Sequence, residues 1–134
     1  MHQLTIYTHS IFQGVRYDSN SNDWLFDFSN SVSVLVSGFW RLLINGNIVY
    51  VSMDHLRQFG MPAPVDMVAE LSKCLHGKIL NRINVNEGTG DLRLSFNDNI
   101  EMEAFITSTG YESYQFSIGV KRYIALGGGE IAIL

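Results

Sequence analysis

Four histidines, one cysteine and a few paired charges are the residues of this chain whose types could do chemistry. The histidines are His2, His9, His55 and His76. None stands at a metal-ligand spacing from another His or from Cys74. Asp54 and His55 are neighbours, and a carboxylate beside an imidazole suits general acid–base work. Adjacent side chains diverge in either regular structure, so this pair reads as turn residues. Cys74 falls on the apolar stripe of an expected helix. A nucleophilic thiolate needs a base and an electropositive setting, and neither is visible around it. Glu101 and Glu103 share one face of an alternating strand and read as its wet side. Lys121-Arg122 is the only basic pair, too small for a nucleic-acid site. Gly127-Gly128-Gly129 could suggest a phosphate loop, but such loops need a following helix N-terminus. Only Glu130 to Leu134 follow, so a strand-joining turn is expected. No G-x-S-x-G elbow occurs. The expectation is a protein with no catalytic, metal-binding or cofactor-binding residues, and not an enzyme.

The elements that would carry these residues are mostly strands. Leu92, Leu94 and Phe96 alternate with polar neighbours, and Asn97-Asp98-Asn99 is a turn cluster. Ile100, Met102 and Ala104 alternate with Glu101 and Glu103 on the return strand. Ile79, Ile83 and Val85 supply an earlier strand. Tyr114, Phe116 and Ile118, then Lys121 to Leu126, then Glu130 to Ile133 supply later ones. In the first half, strands are expected near Val15 and Tyr17, then at 23–28, 31–37, 39–44 and 47–51. Asn45-Gly46 is a hairpin signal, because both residues tolerate positive φ. The arm from Leu4 to Thr8 leans towards strand.

A helix is expected over about 64–76. Pro64 suits its first position, and Met67, Val68, Leu71, Cys74 and Leu75 share one face. Gly77 is placed to stop it. A shorter helix or turn is expected from Met53 to Phe59, with Ser52 as cap and Gly60 as stop. The fold class is therefore α+β, an antiparallel sheet with the main helix packed on it.

The two halves match at a fixed offset. Asp23-Trp24-Leu25-Phe26-Asp27-Phe28 aligns with Asp91-Leu92-Arg93-Leu94-Ser95-Phe96. Val32, Val34 and Val36 align with Ile100, Met102 and Ala104. After a short slip, Gly38-Phe39 aligns with Gly110-Tyr111. Two meander-like pseudo-repeats, about 13–51 and 76–126, would give this pattern; so would the plain likeness of alternating strands. The copies differ on their outer faces, where Leu25 and Leu35 stand against Arg93 and Glu103. That apolar outer face is either covered by the chain's own helix or used for contact, and the helix is favoured.

At 134 residues the chain has the length of one domain, 1–134. There is no apolar run of ~18 residues for a membrane span. The start lacks a basic-then-apolar leader pattern. A single cysteine forms no internal disulfide, which points to a reducing, cytoplasmic setting. Net charge is −4, from 13 acidic and 9 basic residues, which argues against nucleic acid as the partner. Nothing indicates self-association. Two sets stand out as contact candidates. Phe39, Trp40, Tyr111 and Tyr114 are aromatic residues at matching points, suited to core or hot spot. The acids on loops and wet faces could dock a basic protein. Asp91, Asp98, Glu101, Glu103 and Glu112, with Tyr111, are the partner-binding candidates.

Leu75-His76-Gly77-Lys78-Ile79, Gly90-Asp91-Leu92-Arg93-Leu94-Ser95-Phe96 and Gly110-Tyr111-Glu112-Ser113-Tyr114 resemble short motifs of a group of small bacterial proteins. Phe39-Trp40-Arg41-Leu42-Leu43 with Asn45-Gly46 suits the same group. Its members resemble immunity proteins of contact-dependent growth inhibition and other polymorphic-toxin systems. The likeness covers most of residues 39–126. Tyr114 stands where the group often has Trp. The loop at 18–22 and the N-terminal arm lie outside the likeness, and no catalytic residue carries over. The resemblance implies a protein that binds and neutralises the C-terminal domain of a cognate toxin. Surface acids would suit a basic nuclease, where they stand in for phosphates. The competing expectation is a small-molecule-binding or housekeeping α+β domain.

Overall fold

The computed structural model describes residues 3–134. Five strands come first: β1 (Gln3–Asp18), β2 (Asp23–Phe28), β3 (Val32–Val36), β4 (Trp40–Ile44) and β5 (Asn47–Val51). Helix α1 (Met67–Leu75) follows. Then come β6 (Ile79–Asn86), β7 (Leu92–Phe96), β8 (Ile100–Ala104), β9 (Tyr114–Ile118), β10 (Lys121–Gly127) and β11 (Glu130–Ile133). All eleven strands join one sheet in the order β11-β10-β9-β3-β2-β1-β6-β7-β8-β4-β5. Every pairing is antiparallel. The chain is thus α+β, with a sheet and one α-helix among the described residues.

Strand β1 turns the sheet back on itself. From Gln3 to Ile11 it pairs with β6, and from Phe12 to Asp18 with β2. Its register shifts between Tyr7 and Ser10 and again between Phe12 and Gly14. Such bulges bend a strand and let it leave one sheet for the next. The sequence suggests two separate pieces here, an arm and a strand near Val15. The structure joins them, because the two shifts absorb the corner that would otherwise end the strand.

The folded sheet encloses its own core. Trp24 and Phe26 of β2 meet Trp40 of β4 at ring distances of 5.1 and 6.2 Å, both edge-on. Phe28 meets Phe96 of β7 at 6.0 Å. These strands are far apart in the sheet order, so only a face-to-face fold brings the rings together. On β2 and β3 every second residue is buried and its neighbours are half-buried, as alternation predicts.

Helix α1 has nine residues, too few to be stable alone. Met67, Leu71 and Leu75, one turn apart, are at most 2% exposed and join the core. Asp66 caps the helix by accepting from the Ala69 amide at 3.1 Å. The sequence begins the helix at Pro64. It begins later because Val65 is already committed: its amide donates to Arg57 at 2.7 Å and its carbonyl accepts from Leu56 at 2.8 Å. Of the short helix or turn expected over 53–59, the structure has the turn, opened by one 3-10 turn at Ser52–Asp54. Ser52 does not cap it, since the Ser52 hydroxyl accepts from the Trp40 amide at 3.1 Å. Leu56 and Phe59 then take positive φ, which no helix can continue through. No described helix is long and apolar enough to cross a membrane.

Gly127-Gly128-Gly129 joins β10 to β11, with Gly127 paired to Glu130. The turn lies hard against neighbouring loops. A Cβ at Gly127 would sit 2.9 Å from the Thr109 carbonyl carbon, and one at Gly90 would sit 2.7 Å from Gly129 Cα. Close backbone approach, rather than phosphate binding, accounts for these glycines.

Candidate functional site

The outer face of β7, β8 and β4 holds two of the acids singled out in the sequence, Glu101 and Glu103. Arg93, Glu103 and Arg41 lie directly across from one another on the three strands. Glu103 accepts from Arg41 Nε at 2.8 Å and from Arg93 Nη2 at 2.8 Å. Glu101 meets the other nitrogen of Arg93 at 3.3 Å. Burial pushes the Glu103 carboxyl up, but hydrogen bonds from Arg93 and Arg41 and their charges outweigh it and hold the group below the ordinary glutamate range. The same bond, against a smaller burial effect, raises the Arg93 guanidinium. Two glutamates and two arginines therefore balance, and this face offers much less free negative charge than the sequence suggests.

The remaining candidates scatter. Asp91 accepts from the Ile106 amide at 2.9 Å, which ties a loop down. Asp98 pairs with Lys78 in the β7–β8 turn. Tyr111 and Glu112 stand exposed on the loop before β9, Tyr111 at 81%. The aromatic set divides: Trp40 and Tyr114 are core residues at 0 and 1% exposure, whereas Tyr111 is not. Tyr114 donates to the Gly90 carbonyl at 2.7 Å, and burial with the nearby Asp91 charge raises its hydroxyl far above the ordinary range. Asp91 and Glu103 do line one polar concavity of about 480 Å³ with Arg82, Asn84 and Arg93.

His55 packs at the start of α1. Its Nδ1 accepts from the Met67 amide at 3.1 Å, satisfying the first amide of α1. Its ring stands edge-on to Tyr17 at 4.9 Å and Trp24 at 5.1 Å. Cys74 is partly buried on the core side of α1, and burial raises its thiol. His2 lies outside the described residues. Among the described residues no three His, Cys, Asp or Glu side chains gather to hold a metal.

A second region is prominent in the structure and was missed in the sequence. Among the described residues thirteen large apolar ones are exposed, and six of these fall between 48 and 61: Ile48, Val49, Met53, Leu56, Phe59 and Met61. Leu56 is 62% exposed, Phe59 61% and Met61 58%. The loop that carries them is tied. Leu56 and Val65 close its base, Met61 donates to Gln58 at 2.8 Å, and the Gln58 amide returns to the Met61 carbonyl at 2.7 Å. Leu56 has φ 66° and Phe59 φ 49°. Bulky residues rarely occupy that region, and strain of this kind gathers at functional sites. Beside the loop, Val49, Tyr50, Phe59, Met61, Val65 and Met67 line a groove of about 520 Å³ with Asp54, Asp66 and Glu70.

No family model, curated protein or solved structure matches this chain.

The sequence expectation over Met53 to Phe59, a shorter helix or turn, says nothing of the exposure of Met53, Leu56, Phe59 and Met61. Pro62, Pro64 and Gly60 argue for a loop. A loop leaves such residues no face to bury.

Proposed function

We propose that this protein is a bacterial immunity protein, which binds the C-terminal domain of a cognate toxin stoichiometrically in the cytoplasm and blocks it. The observation that carries the reading is the tied loop, which holds Leu56, Phe59 and Met61 out in water. Exposed apolar residues on an ordered segment are costly unless something covers them. Apolar anchors at the centre of a protein contact, with a polar rim, are the usual arrangement of a tight interface. The short motifs around Gly77, Gly90 and Gly110 resemble those of immunity proteins and supply the partner. In this reading Tyr111 and Glu112 are further contact candidates, because both face solvent. Glu101 and Glu103 contribute through a balanced network rather than as free acids.

The strand order also supports reading the chain as two copies of one module. Hairpin β4–β5 follows β3 in sequence but pairs with β8. Hairpin β9–β10 follows β8 but pairs with β3. Two copies that exchange their last hairpins would give this order.

Co-expression tests the function. The protein should protect cells from the toxin encoded by the neighbouring gene and co-purify with that toxin domain at one to one. A neighbouring toxin that neither binds it nor is neutralised sinks the proposal. The groove itself favours a second reading, a small-molecule-binding domain, since its apolar walls converge with the Tyr50 hydroxyl and Glu70. A clear thermal shift with a small molecule, and no toxin binding, would select that reading.

A further inference from the structure

We infer that the groove between β5 and the loop before α1 is the docking site, and that it takes a partner segment bearing an apolar side chain flanked by lysine or arginine. This rests on the protein-binding reading above and adds the place and the chemistry of the contact. The walls are apolar, from Val49, Phe59, Met61, Val65 and Met67. Among the described residues the charged lining is of one sign: Asp54, Asp66 and Glu70, with no lysine or arginine. Among the described residues none of these three acids is in an ion pair. Asp66 spends one oxygen on the Ala69 amide, and Glu70 accepts from the Tyr50 hydroxyl at 3.3 Å. The N-terminus of α1 offsets only roughly half a charge, so the carboxylates remain in excess. This contrasts with the β7–β8–β4 face, where every glutamate has its arginine. An apolar anchor would fill the walls while flanking cations meet the acids, and complementary charge would speed encounter.

The bulge in β5 narrows the mode of docking. The pairing shifts between Leu42 and Leu43, which leaves Val49 as the extra residue of β5. Val49 lines the groove. Bulges twist an edge away from strand addition and re-aim a side chain. Side-chain insertion is therefore the mode, not an added strand.

The test uses the full chain labelled with ¹⁵N and three synthetic peptides: apolar–basic, apolar–acidic, and basic without apolar residues. The apolar–basic peptide should shift the amides of Val49, Tyr50, Met61 and Val65, and bind roughly tenfold or more tightly than either control. Phe59→Asn should weaken it by about tenfold without lowering the melting temperature, because asparagine accepts the positive φ that phenylalanine resists. Met61→Ser, which keeps the backbone bonds of the loop, serves if Phe59→Asn misfolds. Shifts that cluster elsewhere, or an acidic peptide that binds equally well, overturn the proposal. Co-expression separates the two readings. A toxin neutralised equally by wild type, Phe59→Asn and Met61→Ser removes the docking site and keeps the function. Peptide docking with no toxin binding keeps the site and removes the function.

Discussion

Two rows of side chains run across the outside of the folded sheet, and they are built on opposite principles. On β1, β2, β3, β9 and β10 the row reads Arg16, Leu25, Leu35, Gln115, Ile124. On β6, β7, β8 and β4 it reads Asn84, Arg93, Glu103, Arg41. Three of the five residues of the first row are apolar, whereas the second is joined by charge-assisted hydrogen bonds. Helix α1 covers neither row: its buried residues belong to the core, and the open groove at Leu25 and Leu35 is lined by Arg16, Tyr17, Asp18, Ser19 and Asp23. The expectation that the helix shields the apolar outer face is thus corrected. One amphipathic helix of nine residues has one apolar stripe, and the core uses it. The comparison teaches that an outer sheet face can be satisfied by either chemistry while the inner faces stay alike.

The largest effect should come from cutting the floor common to both rows. Trp24→Ala removes the edge-on contact with Trp40 and should cost about 3–5 kcal/mol by denaturant melting. A loss under about 1 kcal/mol would mean that the half-sheets do not rely on this contact.

Next is the charged row. Glu103→Gln strips two arginines of their shared carboxylate and should cost about 2 kcal/mol. The combined change Arg93→Leu with Glu103→Leu, which copies the apolar row, should recover part of that loss, since apolar pairs often replace paired charges well. A double variant worse than the sum of its single changes would show that the rows are not interchangeable.

The pH dependence sharpens the same contrast. The folded Glu103 carboxyl lies below its unfolded value of about 4.3. Its contribution is therefore present above pH ~4.3 and is lost as pH falls through the lower folded value. Wild type should lose stability in that acid window more steeply than Glu103→Gln, measured by melts at successive pH values. Parallel profiles would refute a special role for Glu103.

The smallest effect belongs to the apolar row. Leu25→Arg with Leu35→Glu places an exposed ion pair there and should change stability by no more than about 1 kcal/mol. A much larger loss would show that Leu25 and Leu35 are covered by something in solution.

Much of this arrangement was legible in the sequence. The alternation of Leu92, Leu94 and Phe96 gave a strand because period two needs only local sterics and one buried face. Asn45-Gly46 gave its hairpin for the same local reason, and both residues do take positive φ, 53° and 80°. The distant partners of β3 and β8, namely β9 and β4, were not legible, because register across about eighty and about sixty residues is decided by tertiary packing. The Glu103 network was hidden for that reason too. Arg41 is 62 residues away in sequence and directly opposite in the sheet. Over Met53 to Phe59 the sequence leaves a short helix and a turn both open, because local spacing cannot show that the backbone of Val65 ties the segment shut.

The shared strand β1 has a consequence for how the chain reaches its fold. Its second half finds β2 within a few residues, but its first half must wait for β6, more than sixty residues later. Strand β3 waits longer still for β9. Contacts of such long range make folding slow, because closure entropy is spent before the contacts form. During synthesis the edges of β1 and β3 stay open, and neither half of the chain can finish its sheet until the other has emerged.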